Sequence, residues 1–166
     1  MAEIKDARKL FVHQLGEALN MERTALTMLK RNQEAAADAE VARLFADHHG
    51  ETERQIANLE QAFSAIGEEP AGHVCHGMEG MKKEAQEMIE TITPELLDGA
   101  LAMGATHVEH YEIATYEGLL VHAEVMGMED LVALLQENLE QEQQTLGKLE
   151  TAAVRLGQRA ASTISR

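Results

Sequence analysis

A chain of 166 residues is long enough for one domain with a sizeable buried core. Its formal net charge of -15 argues against nucleic acid or an anionic membrane surface as a partner, since both require a basic patch. Two prolines, three phenylalanines and no tryptophan, set against abundant Ala, Leu, Glu and Gln, predict an all-α protein with nine methionines filling gaps in an aliphatic core.

The first helix is predicted over about 6–32, on the stripe Phe11/Val12, Leu15, Leu19, Glu22, Leu26 and Leu29. A polar break over 32–38 follows, with Asp38 as the N-cap of a second helix that runs to about residue 66 and stops at Gly67. Its stripe is Val41, Leu44/Phe45, His48, Glu51/Thr52, Gln55/Ile56, Leu59 and Phe63, with polar groups in the middle. Residues 67–80 read as a loop punctuated by Gly67, Pro70, Gly72 and Gly77, leading to a short helix over about 78–91. Thr93 caps and Pro94 opens the next long helix, which ends at Gly127. Its stripe is Leu101, Ala105, Val108, Glu112, Thr115 and Leu119, with Glu109 one turn before Glu112 on nearly the same face. The last helix starts near Asp130 and carries Leu131, Leu134/Leu135, Leu139, Glu142, Leu146, Leu149, Ala153 and Leu156. One domain over 1–156 is therefore expected, followed by a polar tail over 157–166 that frays.

Two hairpins joined by a linker long enough to cross the bundle have the connectivity of a ferritin-like four-helix bundle, its long crossover holding the short extra helix. In each hairpin, residues equidistant from the turn lie at equal height. The midpoint of positions 22 and 51 is 36.5, inside the first predicted turn, and that of 112 and 142 is 127, the second. Every long helix thus brings a carboxylate into the core at mid-height, where an unpaired charge is costly unless it binds a metal. Glu22, His48, Glu51, Glu109, Glu112 and Glu142 are the expected ligands of two iron (or manganese) ions, cations that suit carboxylate and imidazole donors. The usual Glu-x-x-His pattern is absent: position 54 is Arg, position 145 is Thr, and His48 precedes its glutamate.

The segments Leu10-Phe11-Val12-His13-Gln14-Leu15, Met21-Glu22-Arg23, His48-x-x-Glu51-Thr52-Glu53-x-Gln55-Ile56 and Val108-Glu109-His110-Tyr111-Glu112-Ile113-Ala114-x-Tyr116 resemble the YciF/YciE-like stress-associated family. The resemblance spans about 5–156. It implies a ferritin-like bundle, a dinuclear metal site and dimerisation, and leaves the reaction open; relatives in the wider superfamily handle peroxide or oxygen.

Around the ligands, Gln55 is expected to hydrogen-bond to one of them, and Tyr116, one turn from Glu112, to donate to a metal-bound species as the catalytic candidate. Tyr111 is the weaker choice, and each tyrosine has an equal reading as a core residue with a satisfied hydroxyl. His13, His49, His107, His110 and His122 are expected away from the site. His73, Cys75 and His76 are too few for a loop metal site, and Cys75 is expected to pack under the crossover. A single cysteine excludes an intramolecular disulfide framework. With no basic start and apolar run at the N-terminus and no membrane-length segment, a soluble cytoplasmic protein is expected. Apolar residues beyond one stripe, Phe11 and Val12 with Leu119, Leu120 and Val121, predict a homodimer. The function expected is stress defence by a dinuclear centre acting on peroxide or oxygen; the alternative is a non-catalytic metal-binding or structural bundle dimer.

Overall fold

The computed structural model describes residues 3–70 and 73–164 as five helices: α1 (Ala7–Ala35), α2 (Ala39–Ala65), α3 (His76–Thr91), α4 (Pro94–Val125) and α5 (Glu129–Ile164). The expected first residues Met1-Ala2, the loop pair Ala71-Gly72 and the last two residues of the polar tail lie outside the described residues. Asp6 starts α1 by accepting from the backbone N–H of Lys9 at 3.0 Å. Asp38 does the same for α2, accepting from Glu40 and Val41 at 3.1 and 3.3 Å. Two helices end on a glycine in the left-handed region, Gly67 at φ 70° and Gly127 at φ 68°. In each case the next residue's N–H turns back to an orphan helix carbonyl, Glu68 to Phe63 at 3.0 Å and Met128 to Ala123 at 2.9 Å.

Three boundaries differ from the sequence expectation. α1 continues past Asn32 to Ala35, since Gln33, Glu34 and Ala35 are good helix formers, leaving residues 36–38 as the whole connection. α3 starts at His76 instead of Met78, because the Cys75 carbonyl already accepts from Glu79 at 3.0 Å. α5 continues through the expected fraying region to Ile164, where Arg155 and Arg159 reach across to Asp38 at 2.8 and 3.2 Å.

Round the bundle the long helices follow the order α1, α2, α5, α4, and α3 lies across α1 and α4. Asp98, in the first turn and a half of α4, accepts from the backbone N–H groups of Ala37 and Asp38 at 2.8 and 3.0 Å. The start of α4 therefore sits beside the start of α2, so those two helices are parallel and the crossover returns the chain along the bundle. The 16 residues of α3 cover roughly 24 Å of that return.

The apolar interior comes in two clusters. One gathers Phe11, Leu15, Leu19, Leu59, Phe63, Met78, Leu119 and Leu135. The other, at the opposite end, gathers Leu29, Val41, Phe45, Leu101, Leu149 and Leu156. Burying each of these side chains contributes about 1.5–3 kcal/mol. Phe11, Leu119 and Leu120, expected to supply a second apolar face, belong to the bundle's own core, and Val121 stays outside. Thr115 is half-buried, and Tyr116 takes the inward place beside it. Among the described residues no helix is long and apolar enough to cross a membrane.

Candidate metal centre

Between the two apolar clusters lies a layer of buried polar side chains. α1 supplies Glu22, α2 His48 and Gln55, α4 Glu109, Glu112 and Tyr116, and α5 Glu142, none of them more than 3% exposed. His48, Glu109, Glu112 and Glu142 each present a donor atom within 4.8 Å of those of the others. The His48 ring is enclosed by carboxylates. Its Nε2 lies 3.2 Å from Glu109 Oε1 and 3.6 Å from Glu142 Oε2, and its Nδ1 3.4 Å from Glu51 Oε2. Glu51 stands at the half-buried margin of this group, where Thr145 Oγ1 donates to Oε2 at 3.0 Å and Lys148 Nζ lies 3.6 Å from Oε1. Glu22 flanks the group from the other side through Tyr116, whose hydroxyl donates to Glu22 Oε1 at 2.5 Å.

Most of these acids lack the partners that burial demands. Glu22 Oε2, Glu109 Oε2, both oxygens of Glu112, both of Glu142 and both amide atoms of Gln55 are buried with no hydrogen-bond partner. Burial pushes the Glu22 carboxyl up from 4.5 to about 7, against the lowering effect of the Tyr116 hydrogen bond and the His48 charge. Burial also raises Glu112 well above the ordinary range, helped by the charges of Glu142, Glu22 and Glu109. Glu142 is raised for the same first reason, with Glu22 and Glu109 adding to it. For His48, burial works against the charged ring, but the Glu109 charge and hydrogen bonds to Glu109 and Glu51 outweigh it and raise the imidazole well above 6.5. Glu51 is the exception among the acids: the His48 hydrogen bond and then Thr145 hold it down at about 2.

This donor set could hold a divalent metal ion. Ligands at about 2.1 Å from one ion and at right angles to each other stand roughly 3 Å apart, close to the 3.2 Å between His48 Nε2 and Glu109 Oε1. Five glutamates and one imidazole are harder donors than zinc-selecting thiolates. The orphaned oxygens of Glu112 and Glu142 are the acceptors a cation would satisfy.

A polar brace supports the layer, and the sequence reading missed most of it. Asn138 Nδ2 donates to the Tyr116 hydroxyl oxygen at 3.0 Å and to the Gln55 backbone carbonyl at 3.2 Å, and its Oδ1 accepts from Asn58 Nδ2 at 2.8 Å. Because Asn138 occupies a lone pair of Tyr116, the phenol proton points at Glu22. Asn138 stands four residues before Glu142 and Asn58 three after Gln55, so helical spacing alone places both on the inward face. Thr145 occupies the place where Glu-x-x-His would put its histidine, and it holds Glu51 instead.

The remaining singled-out residues lie elsewhere. Tyr111 is partly exposed, its hydroxyl 3.2 Å from Cys75 Sγ, and that bond with burial lifts the phenol to about 12. Cys75 is a buried free thiol at the start of α3, its N–H bound to Asn20 at 2.7 Å. His73 stacks on His13 at 4.2 Å, His122 contacts Gln14 at 3.0 Å, and His76, His107 and His110 are exposed. His49 is half-buried, and Arg54 is exposed.

Residues 6–162 match the family described as a domain of unknown function, DUF892. The chain belongs to that family. It is 33% identical over 153 residues to Protein YciF of Escherichia coli K12, covering 91% of this chain and 92% of the relative. The solved structure of the E. coli stress protein YciF superposes with a TM-score of 0.89 at 32% identity, over 93% of this chain and 99% of that one. YcfI of Rhodopseudomonas palustris, to which a structural role has been ascribed, gives 0.87 at 34% identity, over 90% and 96%. A ferritin-like diiron-carboxylate protein of Bacillus anthracis gives 0.71 at 16% identity, over 90% and 99%, which establishes the ferritin-like fold.

Proposed function

We propose that this protein binds two iron or manganese ions in the polar layer, held by Glu22, His48, Glu51, Glu109, Glu112 and Glu142, and uses them in stress defence against peroxide or dioxygen. The observation that carries the reading is the concentration of partnerless buried carboxylate oxygens around one imidazole. An acid layer of this kind is destabilising in a bundle that has no cation to put there, and two divalent ions offset most of five carboxylate charges. The description of the E. coli relative as a stress protein agrees with the stress role.

Held by these residues, two ions of variable valence would supply one electron each to a small oxidant. The chain's own residues do the rest. The apolar clusters on either side keep bulk water from the layer. Tyr116, braced by Asn138, holds a proton at its hydroxyl between Glu22 and the interior. The Gln55 amide offers an uncommitted donor and acceptor. A reducing cytoplasm is the setting that would keep Cys75 a thiol.

The test is metal loading. Purified chain incubated with ferrous or manganous ion is expected to carry two ions per chain by native mass spectrometry, and no specific uptake would end the reading. Consumption of peroxide or dioxygen by the loaded protein separates an enzyme from the second reading, a metal-binding or structural bundle without turnover, which the role ascribed to the Rhodopseudomonas relative favours. We further propose a two-fold dimer, supported by Val121 and Val125 left exposed, one turn apart, on α4. Light scattering at micromolar concentration should give twice the chain mass; a monomer mass rejects the dimer and leaves the metal site untouched.

A further inference from the structure

A narrow slot runs beneath the crossover helix, between α1 and α4, and ends at the polar layer. Its rim carries the exposed residues Glu84 and His107, and its inner end is His48 with Glu109. Between them the wall is formed by Met28, Met81, Met88, Leu101, Gly104 and Ala105, and apart from Asn32 it offers no polar side chain. The interior volume is about 30 Å³, above the roughly 10–15 Å³ that a cavity needs to hold a molecule the size of water. At the inner end, Glu109 Oε2 is buried without a partner, so the slot leads to a group still open to a ligand.

We propose that this slot is the entry route for a slim, uncharged, apolar molecule of dioxygen size, and that it excludes hydrogen peroxide and ions. The proposal rests on the metal-binding reading for its purpose but not for its existence. Three features fix the class of ligand. The small interior volume admits a molecule of a few atoms and no bulky substrate. A wall of methyl, methylene and thioether groups offers peroxide almost none of the hydrogen bonds it would give up in water, whereas dioxygen gives up none. Methionine side chains are flexible and polarisable, so Met28, Met81 and Met88 can yield to a passing molecule without breaking the fold. Ions and hydrogen peroxide have a different, polar margin available, the half-buried Glu51 with Lys148 between α2 and α5.

Gly104 lines the slot on the α4 side, facing Met88. A Cβ built there would meet Met88 Sδ at 3.5 Å and Cε at 3.6 Å, ordinary contact distances, so alanine fits while any longer side chain must extend along the slot. Replacing a helical glycine also raises helix propensity, which offsets part of the cost of filling the slot.

The experiment uses the purified full chain under xenon pressure, followed by xenon NMR or diffraction. Xenon should occupy the slot in the wild type and in Gly104→Ala, be lost in Gly104→Leu, and bind more strongly in Met88→Ala, where the wall is cut back. No xenon in the wild type, or the same occupancy in all four proteins, would overturn the proposal whatever the metal content. In ferrous-loaded protein, Gly104→Leu should slow the reaction with dioxygen by roughly tenfold or more, equivalent to about 1.4 kcal/mol of added barrier. Its metal stoichiometry and its reaction with peroxide should remain unchanged. Equal slowing with both oxidants rejects the selectivity, and no slowing with either rejects the route. A protein that takes up no metal fails the function reading instead, and the xenon result still decides the slot.

Discussion

Carboxylates are buried at two places in this bundle, and their surroundings are opposite. At the end where the α1–α2 turn meets the start of α4, Asp98 accepts two backbone N–H groups and Asp38 is held by Arg155 and Arg159. The Arg155 hydrogen bond, with two backbone N–H groups contributing, keeps Asp38 at about 2. In the middle of the bundle Glu112 is completely buried with neither oxygen bonded, and burial drives it upward. The same functional group is a structural tie where its acceptors are filled and a candidate binding site where they are not. Counting filled acceptors therefore says more about function than burial does.

Breaking the mid-bundle acids has the largest expected effect. Glu112→Ala or Glu142→Ala should weaken metal binding by at least the roughly 10–100-fold typical of losing even a supporting partner, measured by competition with a chelator. The exposed Glu140→Ala should change nothing. Metal-free Glu112→Ala should keep its helical circular dichroism, because the substitution removes an unpaired buried acid and not a filled one.

Changing one charge to an amide sharpens the contrast in stability. Asp98→Asn should destabilise the fold by about 1–3 kcal/mol, since two backbone donors lose a charged acceptor. Glu112→Gln should leave the metal-free protein as stable or more stable at neutral pH. Denaturant unfolding of the two variants beside the parent decides it; losses of equal size would erase the distinction between the two sites.

The smallest expected effect is a pH slope whose sign depends on metal. Folding raises Glu22 from 4.5 to about 7, and raises Glu112 and Glu142 as well, so the folded chain holds protons that the unfolded chain releases. Stability from these groups is present below 4.5 and is lost as pH rises through their folded values. His48, also raised, acts in the same direction from 6.5 upward. Asp38 and Glu51, held at about 2, act the other way and lose their contribution only as pH falls toward that value. The metal-free chain should accordingly melt a few degrees higher at mildly acidic than at neutral pH, by differential scanning calorimetry. The loaded chain should show the reverse, because protons compete with ions for the same oxygens.

The sequence by itself determined the helices, their caps at Asp6 and Asp38, the glycine stops at Gly67 and Gly127, and the height at which carboxylates enter the core. These follow from local rules: helical periodicity selects the inward face, and hairpin symmetry about a turn sets the level. The ends of helices were less legible, because a helix stops where its last tertiary partner stops. α5 persists to Ile164 with Arg155 and Arg159 tied to an aspartate more than a hundred residues away. Tertiary structure alone decided how the inward residues divide their work. His48, Glu109, Glu112 and Glu142 close on one another while Glu51 stays at the margin under Thr145 and Glu22 turns to Tyr116. Periodicity places a side chain on a face to within a fraction of a turn. Which oxygen finds a donor, and which is left for a cation, depends on ångström distances between helices that sequence spacing does not encode.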